Sequence, residues 1–483
     1  MSDDVILNQL DNQLGLVDDG GRRGAIVACA TGGPIGEPAI YARKSDVVAA
    51  FTSGRLVEAA CWVLDTTGRP VVLCRADKTT DGGYGTIDDD GVTGTVTITA
   101  HSATKPLDDY EARIDFVAGG TVGTTGITYR WSLDDGRTQS AETALGTALT
   151  LTIAEAGVAL DLDTGETVVA GDYVRVRTTG PAPNATQLGD AMTALEQTEN
   201  QWEICLVDAP IDASLFGAIT SAATSMEANG LEPRFLGAFR VPDIGETEAQ
   251  YKTAFDTIFS TLTSRRACIG FGSSENQSPI SQRRYLTRLG ADMLATVLPL
   301  PLGRDPARVG NGPRPATVSI TERGNPKHHD EALFPGADDS RASTYRSRRR
   351  KRGVYWKNIR VLSETGSDFR YWQHLDVMST ARRIVRDALE DFSSDDVEVT
   401  ETTGYIVEEE AAHIDEVVNA ALATGLGNAV SAVEFKLSRT DNILSTFKLR
   451  GALRVTPLGY VKFFEVDVGF YNPALNVVFG EAA

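Results

Sequence analysis

Apolar and polar positions recur along this chain with two periods, and the switches between them mark out its parts. Gly24–Ala30 and Pro70–Arg75 are short continuous apolar runs, as expected of strands buried on both faces. Two short helical patterns lie between them, near Ser45–Phe51 and Arg55–Asp65. From Thr186 the same rhythm returns. Strands are predicted at Trp202–Val207, Arg234–Arg240 and Ala267–Phe271, alternating with helices at Ala213–Asn229, Glu246–Thr263 and Ile280–Ala295. Gly230 is placed to stop the first of these helices. Strand–helix alternation predicts an open, largely parallel sheet.

The stretch 79–183 breaks that rhythm. It is rich in Thr, Gly and Asp, and short alternating runs recur at Thr95–Thr99, Glu111–Val117, Ile127–Ser132, Ala148–Ile153 and Asp172–Thr178. Asp135-Gly136 and Asp163-Thr164-Gly165 supply turns. A small β sandwich or barrel inserted into an α/β core is the expectation. Residues 299–350 read as a long irregular Pro-, Gly- and Arg-rich excursion. A strand at Gly353–Val361 follows, then a strongly amphipathic helix at Val377–Phe392 and a second helix at Glu408–Thr424, stopped by Gly425. Val433–Leu437, Ile443–Leu453 and Val461–Phe470 read as strands. In the last of these, Phe464, Val466, Val468 and Phe470 share one face, opposite Glu465, Asp467 and Gly469. Such a half-buried strand sits where chains usually fray, so something must hold it. The fold class is therefore α/β and α+β multidomain. It comprises a polar N-terminal arm (1–22) with an apolar knot at Val5-Ile6-Leu7, an α/β core (23–78 and 184–325), the all-β insertion (79–183), an α+β C-terminal unit (326–461) and a terminal strand or arm (462–483).

With 483 residues, two to four domains are expected, and 42% hydrophobic against 23% charged residues is ordinary for a globular chain. No apolar run is long enough to cross a bilayer. The opening Met1-Ser2-Asp3-Asp4 lacks an apolar core, so export by a signal peptide is not expected. Cys29, Cys61, Cys74, Cys205 and Cys268 are scattered in apolar settings, which points to reduced core thiols rather than a disulfide framework or a zinc site. A net charge of −20 disfavours nonspecific nucleic-acid binding. Yet between Ser340 and Ser363 there is no acid, while Arg341, Arg346, Arg348, Arg349, Arg350, Lys351, Arg352, Lys357 and Arg360 are concentrated there. One basic stretch in an acidic protein reads either as a solvated loop or as a contact directed at one particular acidic surface.

Candidate chemistry is sparse. There is no Walker sequence and no dinucleotide glycine fingerprint. Gly270-Phe271-Gly272-Ser273-Ser274 follows a predicted strand, where α/β proteins bind ligands, but reads as a plain loop. Asp208 sits between a strand and a helix and reads as a turn or cap residue. Asp88-Asp89-Asp90-Gly91 and Asp134-Asp135-Gly136 lack the Glu that a calcium loop requires. Of the histidines, His101, His374 and His413 stand apart, and His328-His329 reads as part of a solvated loop. No catalytic, cofactor or metal residue is assigned.

Three stretches together resemble the tail sheath proteins of contractile (myophage-type) bacteriophages. The first is Gly336-Ala337-Asp338-Asp339-Ser340-Arg341, leading through the basic run to Arg352-Gly353-Val354-Tyr355-Trp356-Lys357-Asn358-Ile359-Arg360 and then a long helix. The second is the ending: Asp441-Asn442-Ile443-Leu444-Ser445-Thr446, Pro457-Leu458-Gly459-Tyr460, the last strand, and Asn472-Pro473-Ala474-Leu475. The third is the insertion, with Gly119-Gly120-Thr121-Val122-Gly123, Gly126-Ile127-Thr128-Tyr129 and Ser132-Leu133-Asp134-Asp135-Gly136. Residues 190–300 match only in their α/β rhythm.

The resemblance implies a structural protein, not an enzyme, that stacks as hexameric rings around a tail tube and contracts to drive the tube through the host envelope. It implies a place in the virion's contractile tail, synthesis in the host cytoplasm and no cofactor. Its partners would be other copies, the tail tube protein, and baseplate and tail terminator proteins, without direct nucleic-acid contact or membrane insertion. Val5, Ile6, Leu7, Phe464, Val466, Val468 and Phe470 would take part in strand exchange between subunits. The insertion would face outward, and Arg346, Arg348, Arg349, Arg350, Lys351 and Arg352 would face the tube. Three alternatives remain open at this point. One is the sheath of an R-type bacteriocin or other contractile injection system. Another is an α/β enzyme with an accessory β domain and a pocket near Asp208 or Gly270–Ser274. The last is a nucleic-acid-associated structural protein using the basic run.

Overall fold

The structure, a computed structural model, describes residues 22–314, 317–319, 329–466, 468 and 469. In chain order the core elements are β1 (Gly24–Ala28), β2 (Ala39–Tyr41), α1 (Lys44–Phe51), α2 (Arg55–Thr67) and β3 (Val71–Arg75). After a long excursion come α3 (Ala185–Gln197), β4 (Ile204–Pro210), α4 (Ala213–Ala228), β5 (Arg234–Ala238), α5 (Glu248–Phe259), β6 (Ala267–Gly270), β7 (Ser273–Gln277), β8 (Arg284–Arg288) and α6 (Gly290–Val297). One sheet runs β6-β5-β4-β1-β3-β2. Its neighbours are parallel except for β2, which closes one edge antiparallel to β3.

Two apolar layers explain the continuous runs in the sequence. Ala25 and Val27 of β1 point into a core with α3, α4 and α5, whereas Ile26 and Ala28 point into a core with α1, α2 and α6. A strand covered on both faces needs no polar alternation. Local signals set the helix starts. Asp212 caps α4, its carboxylate accepting from the Leu215 N–H at 2.8 Å. Thr247 and Gln250 form a capping box on α5. Gly54, at φ 105°, brings α2 against β1, and a Cβ there would lie 3.2 Å from the Ala30 Cα.

Several expectations need correction. Asp208 is not a cap: it lies inside β4, and Asp212 does the capping. The helix expected over Ile280–Ala295 divides into β8 and α6, because Arg284–Arg288 pairs along β7 and carries Arg288 to a buried carboxylate. Ser273 and Ser274 belong to β7 rather than to a loop. Ile443–Leu453 is not a strand throughout. Asn442 caps a single turn, Ile443–Thr446, and the strand begins at Gly451.

Between β3 and α3 the chain is almost entirely β. A five-stranded sheet and a three-stranded sheet share one core that includes Ile114, Phe116, Leu151, Leu160 and Val174. The C-terminal part adds a hairpin of β9 (Thr344–Arg348) and β10 (Lys351–Asn358). It continues with α7 (Trp372–Glu390), α8 (Glu408–Leu426) and a second hairpin of β11 (Val430–Leu437) and β12 (Gly451–Pro457). Ala381 of α7 joins Ala411, Ile414, Val418 and Leu422 of α8 and Phe435 of β11 in a separate apolar cluster. Among the described residues, no helix is long and apolar enough to cross a membrane.

Buried polar side chains join these parts. Asp292, in the first turn of α6, accepts from Trp62 Nε1 at 2.9 Å, Ser274 Oγ at 2.8 Å and Tyr345 Oη at 2.9 Å. It therefore connects α2, β7 and β9 within an apolar core. Asp376 of α7 meets Arg22 and, at 2.6 Å, Arg234 of β5. Arg266 bonds Ser379 at 2.7 Å and pairs with Glu227 at 2.9 Å. Buried pairs of this kind fix orientation more than they add net stability, but removing one partner leaves a costly charge.

His329, expected in a solvated loop, is buried between Glu248 and Glu331, with Nε2 at 2.9 Å from Glu331 Oε2. Phe271 packs edge-on against its ring. His328 lies outside the described residues. Burial pushes the His329 pKa down, but hydrogen bonds and the charges of Glu248 and Glu331 outweigh it, and the net shift is upward.

Two tests follow from these contacts. Asp292→Ala removes the buried acceptor shared by Trp62, Ser274, Asn276 and Tyr345, and urea titration should show a loss of about 3–5 kcal/mol. A loss below about 1 kcal/mol would mean that water replaces the carboxylate. For His329, the raised folded pKa makes its contribution fully present below the unfolded value of about 6.5 and lost as pH rises through the folded value. The stability gap between wild type and His329→Gln should therefore be wider at about pH 6 than at about pH 9; a gap independent of pH contradicts the charged Glu–His–Glu cluster.

Candidate functional site

The end of the described chain leaves the body of the protein. Tyr460 Oη donates to the Gly303 carbonyl at 2.6 Å, and burial, followed by Asp305 and Asp376, pushes its pKa up to about 12, so it remains a neutral donor. Lys462 pairs with Asp305, donates to Asn358 Oδ1 at 2.8 Å, and lies 4.8 Å over the Tyr371 ring. Beyond this clasp the apolar side chains have no cover. Phe463 is 80% exposed, Phe464 84%, Val466 73% and Val468 91%.

The half-buried strand expected over Val461–Phe470 is therefore corrected for the single chain: its described residues pair with no strand. Phe470, like Val5, Ile6 and Leu7, lies outside the described residues. Burying a Phe or Val is worth roughly 1.5–3 kcal/mol, so four exposed side chains leave on the order of 6–12 kcal/mol unrealised. That is comparable to the whole stability of many domains.

The β11–β12 hairpin presents the matching deficiency. Its strands pair Glu434 with Arg454, Phe435 with Leu453 and Lys436 with Ala452. The outer edge of β11 is already satisfied by α8. Asn419 accepts from the Phe435 N–H through Oδ1 and donates to the Phe435 carbonyl through Nδ2, each at 2.8 Å. Asp415 accepts from the Leu437 N–H at 2.8 Å. These side chains stand where a further strand would. Because bonded and non-bonded pairs alternate in an antiparallel ladder, Gly451, Leu453 and Val455 must turn their N–H and C=O groups to the outer edge of β12. No described strand meets that edge. Leu453 and Val455 are only half-buried against the α7–α8 cluster.

The basic run forms the tip of the β9–β10 hairpin. Arg348 pairs across from Lys351, and Arg349 and Arg350 make the connection. Arg349, Arg350, Lys351 and Arg352 are exposed; Arg346 and Arg348 are half-buried, and the Arg348 guanidinium lies 5.7 Å from the Tyr355 ring centroid. Burial, then the charge of Arg346, lowers the Arg348 pKa. Arg341, at the head of the same segment, has a different role. Its guanidinium donates to the Phe259 carbonyl at 2.8 Å and the Ser260 carbonyl at 2.9 Å, at the C-terminal end of α5.

The enzyme-like candidates lie elsewhere. Asp208 sits at the point where strand order reverses between β4 and β1, the usual ligand crevice of such sheets. Here the chain fills that crevice itself. Arg55 reaches Asp208 at 2.8 Å and approaches Asp108 and Asp109 of the β unit at 3.8 and 3.7 Å. Arg288 bridges Asp109 at 2.9 Å and Asp208 at 3.5 Å. Burial raises the Asp108 pKa; at Asp109 burial is outweighed by Arg288 and Arg55, and the net shift is downward. Two cavities adjoin this junction, one of about 40 Å³ beside Asp109 and Arg288 and one of about 230 Å³ lined by Cys29, Arg55, Arg75 and Lys78. All five cysteines are buried, and burial pushes Cys29, Cys61 and Cys74 up to about 12, far from reactive thiolates.

Sequence reasoning singled out the terminal ribbon and the basic run but did not anticipate the side-chain protection of β11 that leaves β12 as the open edge. Its signal was present: Asp415 and Asn419, one helical turn apart, precede an alternating strand.

No curated protein matches the chain by sequence. Among solved structures it is similar to a sheath tail protein from Listeria innocua, at 12% identity and a TM-score of 0.45, covering 91% of this chain and 96% of that one. It is also similar to a sheath tail protein from Desulfitobacterium hafniense, at 12% identity and a TM-score of 0.43, covering 94% and 100%. A chain of the anti-feeding prophage baseplate in the contracted state matches at 11% identity and a TM-score of 0.47, covering 97% and 98%. The family described as DUF2586, N-terminal domain, matches residues 2–360, most of the chain, and the protein belongs to that family.

Proposed function

We propose that this protein is a self-assembling tail sheath subunit of a contractile particle. The observation that carries this reading is the pairing of deficiencies on one chain: an exposed apolar ribbon after Lys462, and a bare β12 edge beside half-buried Leu453 and Val455. Strand addition supplies backbone bonds to the edge and side-chain cover to the face at once. Phe464, Val466 and Val468, at alternate positions, would extend the apolar face of the hairpin. The donor is one copy and the acceptor another. Because donor and acceptor surfaces differ, the contact can repeat into rings or helices.

In a sheath, rings of six copies would surround a tail tube, with the β unit facing outward. Contraction would be a rigid-body rearrangement in which exchanged strands keep neighbours connected. The buried junctions at Asp208, Asp292 and Asp376 suit that task, since they tie each lobe to the core. The particle would be a phage tail or a related injection machine. The work is mechanical and requires no cofactor.

Assembly tests this reading. Phe464→Asp, Val466→Asp and Val468→Asp together should leave the thermal unfolding of the single chain unchanged and abolish rings and tubes in electron micrographs. Val455→Pro, which removes one outward N–H while leaving the bonded pairs of the hairpin intact, should do the same from the acceptor side. Ordered tubes built by either variant contradict strand exchange.

A further inference from the structure

Two surfaces of opposite charge stand unpaired on this chain. The first is the β9–β10 turn. Arg348 and Lys351 face each other across it, and like charges directly opposite weaken a hairpin. Arg350 adds a positive φ of 64°, a conformation that favours glycine. The ion pairs nearby belong to Arg314 and Arg360, which meet Asp292 and Asp338. Among the described residues, no carboxylate pairs with the cations of the turn.

The second surface is the connection from α7 to α8. Residues 387–416 contain 12 acidic residues and no Lys or Arg. Asp387 and Glu390 occupy the last turn of α7, which has no basic residue, so carboxylates sit at the negative end of the helix dipole. Asp391, Asp395 and Asp396 follow, all exposed. The ion pairs of this region join Glu408 and Asp415 to Arg439; among the described residues, the carboxylates of the connection have none.

Glu408, Glu409 and Glu410 suit the N-terminus of α8, but local stability explains neither the cationic turn nor the carboxylates at Asp387, Glu390, Asp391, Asp395 and Asp396, and each surface has what the other lacks. We propose that the cationic β9–β10 turn of one copy docks on the acidic α7–α8 connection of a second copy. The resemblance directed the basic run at a tail tube; the fold supplies an acidic surface on the chain itself. The contact joins different patches of two copies, so it can repeat from copy to copy. It rests on the reading that copies associate, but it uses none of the strand-exchange residues. Complementary charge of this kind speeds encounter and sets register, and salt weakens it.

Charge exchange in the full-length chain tests the contact by sedimentation velocity. One variant carries Arg349→Glu, Lys351→Glu and Arg352→Glu; the other carries Asp391→Lys, Asp395→Lys and Asp396→Lys. All six positions are exposed, and thermal unfolding confirms that each variant folds. Wild-type self-association should weaken about tenfold or more between roughly 50 and 500 mM salt, and each variant alone should be weakened about tenfold at the lower salt. An equimolar mixture of the two should regain wild-type association, because each reversed patch finds its reversed partner. A wild-type chain that is monomeric at every salt concentration overturns the proposal, as does a mixture that shows no recovery. A turn variant that self-associates normally also overturns it and returns the turn to a separate acidic tube. The strand-exchange variants divide the two readings. Salt-dependent pairing that survives without tubes supports this contact, whereas tubes built by those variants overturn strand exchange alone.

Discussion

The end of this chain is barred from repairing its own fold. After β12 a short turn could bring residues 461–468 back along the bare β12 edge as a third strand. The Tyr460 hydroxyl on Gly303 and the Lys462 ammonium on Asp305 and Asn358 prevent this by clasping the chain to the core side. The clasp costs little, because both groups find satisfied polar partners. Its effect is large, since an apolar ribbon and an unpaired edge are kept apart within one molecule. Both deficiencies are what the strand exchange proposed above would satisfy.

The remainder of the structure supports that arrangement by being stiff. The core sheet is covered on both faces, and Arg55, Arg288 and the carboxylates of the β unit occupy the space beside Asp208. The C-terminal helices are tied back through Asp376 and Ser379. In such buried polar junctions a small displacement strands a charge, so lobes move together or separate sharply. Under the proposed sheath role, force would pass through exchanged strands, and lobes that do not yield individually suit that task.

Much of this was legible in the sequence because it depends on period. The doubly covered strands and the long amphipathic α7 are set by which side chains meet water. What was not legible depends on partners distant in sequence. Arg284–Arg288 reads as helix until β7 is placed beside it. His329 looks like a loop residue until Glu248, 81 positions earlier, is brought to it. Asp292 carries no local mark of joining Trp62, Ser274 and Tyr345. The protected edge of β11 was missed for another reason: Asn419 and Asp415 imitate a strand with side chains, which strand periodicity does not register.

Amide hydrogen exchange at Leu453 and Val455 reads the acceptor edge itself. In the dispersed single chain both amides should exchange quickly, since no described strand bonds them. In the assembled form both should be strongly protected, while the Phe435 amide, already held by Asn419, changes little. Leu453 and Val455 amides that remain open in ordered assemblies would mean that the copies are joined by something other than an added strand on β12.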